Sequence, residues 1–325
     1  MKNREKRFKQ IVHFVEDKIL SGEYRVGDKI PSINAWGIRF GLSRSSIFLA
    51  MDELKSRGLI EAEPSIGYYV SSCEVKIQEK VLLLFNEFTA FKEDLYNAFM
   101  AEIGDDASAD LLFHNYNRNI FETLLRNANG KYTTYVVMPG KFQGLRKSLE
   151  NLNGHVILVD HFHPELKPLY PSVGQDFEGD TYQALLTGVE QIRKYKTITL
   201  VQKEGFEPEE RFTGISRFCK EHGLRPQLLS TMKGKAVEKG HLYITATDRE
   251  LVDILKKADA QKLAIGQDYG VISYNETPMK EILCGGITTL STDFKQMGRT
   301  LAALVKEKKM QTISNPCTLL LRGSI

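Results

Sequence analysis

The chain is poor in the features that mark secreted, membrane-bound or fibrous proteins. Only four cysteines occur in 325 residues. Cys73, Cys219, Cys284 and Cys317 are far apart in the chain, a pattern that fits neither a disulfide framework nor a zinc-ligand set. No run approaches the ~20 apolar residues of a membrane span. The N-terminus, Met1-Lys-Asn-Arg-Glu-Lys-Arg7, lacks the apolar stretch of a secretory signal, so a cytoplasmic protein is expected. Low-complexity segments and short tandem repeats are missing as well. Hydrophobic residues at 42% and charged residues at 26% exclude disorder over the whole length.

Catalytic signatures are equally scarce. Gly22-Glu-Tyr-Arg-Val-Gly27-Asp28-Lys29 is close to a phosphate-binding loop, but Asp28 occupies the lysine position and no strand precedes it. No Gly-x-Ser-x-Gly elbow and no nucleophile–base signature is found. His161-Phe-His163-Pro-Glu165 does not have the spacing of a closed zinc site and reads as surface residues of a loop. No catalytic residue, cofactor or metal is therefore expected.

What the chain does have is an uneven charge. Residues 1–60 hold 12 Lys/Arg against 7 Asp/Glu, an excess of five positive charges, while the remainder carries 32 against 34. A small basic head on a neutral body makes nucleic acid a candidate partner for the head. Phe8, Ile11, Val12, Val15 and Ile19 recur at helical spacing over 4–20. Ser32 and Ser43 are placed to cap two further helices, and Gly41 and Gly58 to end them. Leu59–Ala62 and Tyr68–Val70 flank a Pro64-Ser65-Ile66-Gly67 turn, which predicts a hairpin. Residues 1–70 thus read as a winged helix-turn-helix domain and 71–79 as a polar linker.

From Val81 the rhythm changes. Candidate strands at Val81–Phe85, Asp110–Phe113, Tyr135–Met138, His155–Val159, Thr197–Val201, His241–Thr245 and Lys262–Ile265 alternate with helical patterns that include 91–102, 118–127, 179–194, 207–222 and 248–257. Repeated βαβ units predict parallel sheets covered on both faces. The fold class expected for 80–325 is α/β, a doubly wound parallel architecture in two hinged lobes.

Two resemblances sharpen this reading. Gly27-Asp-Lys-Ile-Pro-Ser32, Phe40-Gly-Leu-Ser-Arg44-Ser-Ser-Ile47, Leu54-Lys-Ser-Arg-Gly-Leu-Ile60 and Gly67-Tyr-Tyr-Val70 together resemble the DNA-binding domain of the GntR family. The resemblance implies DNA contact by Ser32, Arg44, Ser46 and Gly67. Ser43, Ser45 and Arg39 join them as neighbours at the start of, or just before, the recognition helix. Two positions depart from the family pattern: Ile33-Asn34 stands where an acidic-Arg pair is usual, and Ser65 where the wing usually has its first glycine.

The body resembles the effector domain of the LacI/GalR regulators, which shares the periplasmic sugar-binding protein fold. Pro208-Glu-Glu-Arg211-Phe-Thr-Gly214, Ala246-Thr-Asp248, Ile265-Gly-Gln-Asp268, Gly286–Phe294 with Met297-Gly298, and the terminal Leu319–Ser324 carry that resemblance in order. It implies a ligand cleft in which Arg211 and Asp248 from the second lobe meet Phe91 and Asp160 from the first, with Thr292 and Phe294 as further contacts. Carboxylate and guanidinium suit paired sugar hydroxyls, and a ring suits the apolar face of a pyranose. Asp268 would order a loop of the second lobe.

The function these features imply is transcription regulation, as a repressor. A homodimer would bind duplex operator DNA under control of a small sugar or sugar-phosphate effector, with arabinose or fucose as first trials. Two alternatives stay open at this level: a sugar-binding protein without DNA activity, and a sugar-metabolising enzyme with a regulatory head.

Overall fold

The structure, a computed structural model, describes residues 5–64, 66–72, 79–104, 107–203, 205 and 207–325. Ser65, Cys73 and most of the expected linker lie outside the described residues.

The head contains α1 (Glu5–Leu20), α2 (Ile33–Phe40), α3 (Arg44–Ser56), β1 (Ile60–Glu63) and β2 (Gly67–Val70). Ile11, Val12 and Val15 of α1 meet Trp36 of α2 and Ile47, Met51 and Leu54 of α3 in a closed core. Ser32 caps α2 by accepting from the Ala35 amide at 3.3 Å, and Ser43 caps α3 by accepting from Ser46 at 3.3 Å. The hairpin is antiparallel, with Ile60 opposite Val70.

The first lobe begins with β3 (Glu79–Phe85), α4 (Ala90–Ile103), β4 (Ala107–Phe113), α5 (Arg118–Ala128), β5 (Thr134–Val137), α6 (Arg146–Glu150), β6 (His155–His161) and β7 (Ser172–Gln175). The chain then enters the second lobe. There follow α7 (Phe177–Thr187), α8 (Val189–Ile192), β8 (Thr197–Val201), α9 (Glu210–His222), β9 (Arg225–Leu229) and β10 (His241–Thr245). After them come α10 (Asp248–Ala260), β11 (Gly270–Tyr274), α11 (Pro278–Ile282) and β12 (Thr288–Thr292). Next, α12 (Phe294–Glu307) returns to pack on α4. β13 (Thr312–Ser314) joins the first sheet and β14 (Cys317–Leu320) the second.

Two six-stranded sheets result, ordered β13-β7-β6-β5-β3-β4 and β14-β12-β11-β10-β8-β9. Each is covered on both faces, so strands such as Val81–Phe85 are buried almost throughout. Pairing is parallel except at one edge, where β14 runs antiparallel to β12, a departure from the purely parallel expectation. The candidate strand Lys262–Ile265 is also corrected. Lys262 is in a left-handed conformation (φ +55°), and the strand of this unit is Gly270–Tyr274. The expected helix over 179–194 is split at Gly188 into α7 and α8.

Two glycines set how closely helices approach. A Cβ on Gly298 would lie 2.3 Å from the Leu95 carbonyl oxygen, so α12 sits directly on the backbone of α4. A Cβ on Gly214 would lie 2.4 Å from the Glu178 carbonyl oxygen, which fixes α9 against α7 in the same way.

Candidate functional site

The two sheets point their C-terminal strand ends at each other, the usual place for a ligand in open α/β folds. Between them lies a cavity of about 560 Å³, within the size range of small-molecule sites. Of the six body residues expected to meet a ligand, five line it: Phe91, Asp160, Arg211, Asp248 and Phe294. Thr292 does not. It is buried at the end of β12, where its hydroxyl donates to the Pro316 carbonyl at 3.1 Å and accepts from Asn315 Nδ2 at 2.9 Å. It braces the segment by which the chain leaves the second lobe. Asp268 also stays out of the cavity. Its carboxylate accepts from the Ala264 amide at 2.9 Å and pairs with Lys239 at 2.9 Å, and both hold its pKa down.

The first-lobe wall is built from the ends of β3, β6 and β7 and the start of α4. Phe91 and Phe294 stack with centroids 4.7 Å apart. Lys92 is 5% exposed. Its ammonium donates to Asn86 Oδ1 and reaches Glu87 Oε1 at 3.4 Å. Burial pushes its pKa down, while Asp160 and Glu87 oppose the shift. Tyr116 donates to Glu87 at 2.9 Å and accepts from Asn86 Nδ2 at 3.1 Å; burial and Glu87 raise its pKa. Asp160 accepts from Gln175 at 2.5 Å and has φ +80°, a left-handed conformation that strains a non-glycine residue.

The second-lobe wall centres on Arg211, in the first turn of α9, and on Glu207 in the segment ahead of that helix. Arg211 donates to Glu207 at 2.7 Å and lies 4.0 Å over the Tyr274 ring. Tyr274 is buried, and that burial pushes its hydroxyl up to about 12. Lys280, also buried, donates to the Tyr274 and Asn275 carbonyls at 2.8 and 2.7 Å and pairs with Asp248 at 3.0 Å. Burial lowers its pKa against the pull of Asp248.

Lys92, Glu87, Tyr116, Glu207, Tyr274 and Lys280 were not singled out from the sequence. Glu207 stands four residues before Arg211, a spacing that suits an ion pair and is a signal that could have found a member of this set, although Glu207 lies ahead of α9 rather than in it. Lysines in amphipathic segments read as solvated charges and gave none. His161 lines the cavity and stacks on Phe177, whereas the buried His163 donates from Nε2 to the Gly140 carbonyl at 2.9 Å. Among the described residues no cluster of His, Cys, Asp or Glu is placed to hold a metal, and no helix is long and apolar enough to cross a membrane.

In the head, Arg44 and Ser45 are exposed on the first turn of α3, beside the amides of its N-terminus. The Ser43 hydroxyl lies 3.0 Å from that of Ser45 and 2.9 Å from that of Ser46. Ser32 is exposed at the start of α2. Arg39 is exposed too, with its guanidinium stacked 4.0 Å over the Phe14 ring. Gly67 opens β2 with φ +136°, close to the Lys29 side chain.

Comparison with known proteins fits this division. Residues 8–70 match the bacterial regulatory proteins of the gntR family, and residues 192–325 match the periplasmic binding protein-like domain. Over 64 residues, 20% of this chain, the sequence is 41% identical to the uncharacterized HTH-type transcriptional regulator YdfD of Bacillus subtilis (strain 168), covering 13% of that protein. Over 59 residues, 18% of this chain, it is 44% identical to YisV of the same organism, covering 12% of that protein. The matches thus span about an eighth of the length of these curated relatives. The body resembles solved structures in fold. One is a LacI family transcriptional regulator from Enterococcus faecium with bound ribose, with a TM-score of 0.62 at 17% identity, over 76% of this chain and 98% of that one. Another is a periplasmic binding protein/LacI transcriptional regulator from Alkaliphilus metalliredigens QYMF complexed with D-xylulofuranose, with a TM-score of 0.63 at 12% identity, over 76% and 98%. A head of the gntR family of bacterial regulatory proteins is joined in this chain to a periplasmic-binding-protein-like body of the LacI fold.

Proposed function

We propose that this chain is a transcription regulator: residues 1–70 hold operator DNA and residues 80–325 bind a neutral monosaccharide, which releases the DNA. The observation that carries the ligand class is the pairing of charge in the cleft. Each buried cation already has a carboxylate, Lys92 with Glu87, Arg211 with Glu207 and Lys280 with Asp248. A phosphate would have to compete with those carboxylates, whereas hydroxyl groups can donate to them and accept from the cations. The stacked Phe91–Phe294 pair offers a face for sugar C–H groups. Thr89, Arg211 and Thr277 of the lining each keep a buried polar atom without a hydrogen-bond partner among the described residues. The ribose- and xylulofuranose-bound relatives in fold support a pentose, so arabinose and the deoxyhexose fucose head the trial set.

The mechanism is closure. A sugar held between the lobes favours the closed body by as much as its affinity differs between open and closed forms. In a homodimer on a pseudo-palindromic site, closure alters the spacing of the two heads, and operator in turn weakens sugar binding by the same factor. A thermal-shift screen of monosaccharides and their phosphates tests the ligand class. A ligand at 100 times its dissociation constant adds about 2.7 kcal/mol of stability. Stabilisation by sugar phosphates alone would overturn the neutral-ligand reading, and a chain that no sugar stabilises would overturn the sugar reading altogether.

A further inference from the structure

Two apolar side chains of the recognition helix break the burial pattern of the head. α3 places Ile47, Ala50, Met51 and Leu54 in the core, all at 0% exposure. Phe14, Trp36 and Phe40 pack against one another at centroid distances of 5.6 to 6.0 Å. Leu49 is 37% exposed and lies beside Gly130 of the body, whereas Phe48 is 43% exposed. Phe48 stands four residues after Arg44 and three after Ser45, so helical geometry puts all three on one face, with the phenylalanine about 6 Å further along the axis. The face that presents Arg44 and the amides of the α3 N-terminus to an anion therefore also presents a phenyl ring one turn in.

A major groove offers such a ring one apolar partner, the C5-methyl group of thymine. Phosphate contacts from the helix N-terminus would fix the helix in the groove but carry no sequence information. We propose that Phe48 packs against a thymine methyl and makes the head select thymine at one position of each half-site. This deepens the DNA-binding reading above and rests on it. Arg44 anchors the helix on the backbone, and Phe48 supplies a contact that only one base pair orientation can satisfy.

The test uses the full chain. A pool of random duplexes is enriched for bound sequences, and each thymine of the selected site is then replaced singly by deoxyuridine, which removes the methyl group alone. One position per half-site should lose about fourfold in affinity, the worth of one methyl group taken out of water. Phe48→Ala should bind the thymine and deoxyuridine duplexes equally, and Phe48→Leu should keep part of the difference, with melting temperatures near that of the parent. Indifference of the parent chain to deoxyuridine at every position would overturn the assignment, as would a selected site without thymine. A Phe48→Ala protein that keeps the full deoxyuridine penalty would also overturn it. Loss of self-association in Phe48→Ala with an unchanged penalty would mark the face as a contact between copies of the chain and sink the proposal. A chain that enriches no duplex would overturn the DNA-binding reading itself.

Discussion

Head and body both use arginine, but in opposite surroundings. Arg44 is exposed on the first turn of a helix that packs only its Ile47, Ala50, Met51 and Leu54 face. Arg211 is 5% exposed, clamped by Glu207 and layered on Tyr274. An exposed guanidinium costs the fold nothing and is available to a large polyanion, whose charge outcompetes water. A buried one must be paired inside the protein, and the pair then offers a small molecule both a donor and an acceptor in a fixed geometry. Substitution should therefore separate the two regions. In the head it should cost binding without stability, and in the body it should cost both.

The largest effect is expected at Arg211. Arg211→Ala leaves Glu207 without its partner beside a largely buried ring stack, and breaking such a pair typically costs about 3–5 kcal/mol. Calorimetry should show a marked loss of thermal stability for the body and no sugar binding, while head folding is kept. An Arg211→Ala protein that melts like the parent would contradict the clamped geometry. Gly298→Ala comes next, because its methyl group would be forced onto the Leu95 carbonyl. Overpacking of this kind costs about 1–3 kcal/mol, read as a lower denaturant midpoint. Arg44→Ala should weaken operator binding by about 1–3 kcal/mol and flatten its salt dependence, with the melting temperature unchanged.

The same contrast explains what was legible in the sequence. The head could be read almost element by element, because its signals are local: a helical period, the two serine caps, and glycines at the helix ends. In the body, six of the seven candidate strands fall on real ones, all of them strongly apolar. Apart from Gly270–Tyr274, the strands not foreseen are short or carry polar residues. Ser172–Gln175 is four residues long, and Thr288–Thr292 hides hydroxyls that only the tertiary structure satisfies, as when Thr288 donates to the Arg322 carbonyl at 3.2 Å. The Lys262–Ile265 error has the same root, since a left-handed residue leaves no local mark. In the cleft, Arg211 and Asp248 were found through family resemblance. Lys92 and Lys280 were not, because a lysine's burial is decided by distant chain segments.

A pH experiment sharpens the body side of the comparison. Burial raises the Asp180 carboxyl from 3.8 to about 6. A carboxyl with a folded pKa above its unfolded value binds more protons when folded, so its contribution to stability is full below about pH 4 and is lost as pH rises to about 6. Asp180→Asn should remove that slope from the body's unfolding free energy between pH 4 and 6, and should leave operator binding by the head untouched. A slope identical in parent and variant would show that Asp180 is solvated.

The smallest effect is expected at the mouth of the cleft, where one ion pair and one histidine–carboxylate contact span the lobes. Lys141 of the first lobe lies 3.4 Å from Glu209 of the second, and His161 lies 3.9 Å from Glu210. Glu209 and Glu210 are exposed, so the two contacts together are worth about 1 kcal/mol or less and are screened by salt. These contacts exist only while the lobes are close, so their removal should bias the body toward the open form. The Glu209→Gln, Glu210→Gln double variant should bind sugar less than about tenfold more weakly than the parent. The gap should narrow as salt is raised, because the parent loses the same contacts to screening. Operator affinity in the absence of sugar should not fall, since the head is unchanged and the open form is the one proposed to hold DNA. Equal sugar affinities in parent and variant at low salt would mean that closure is set by the buried pairs around Arg211 and Lys92 alone.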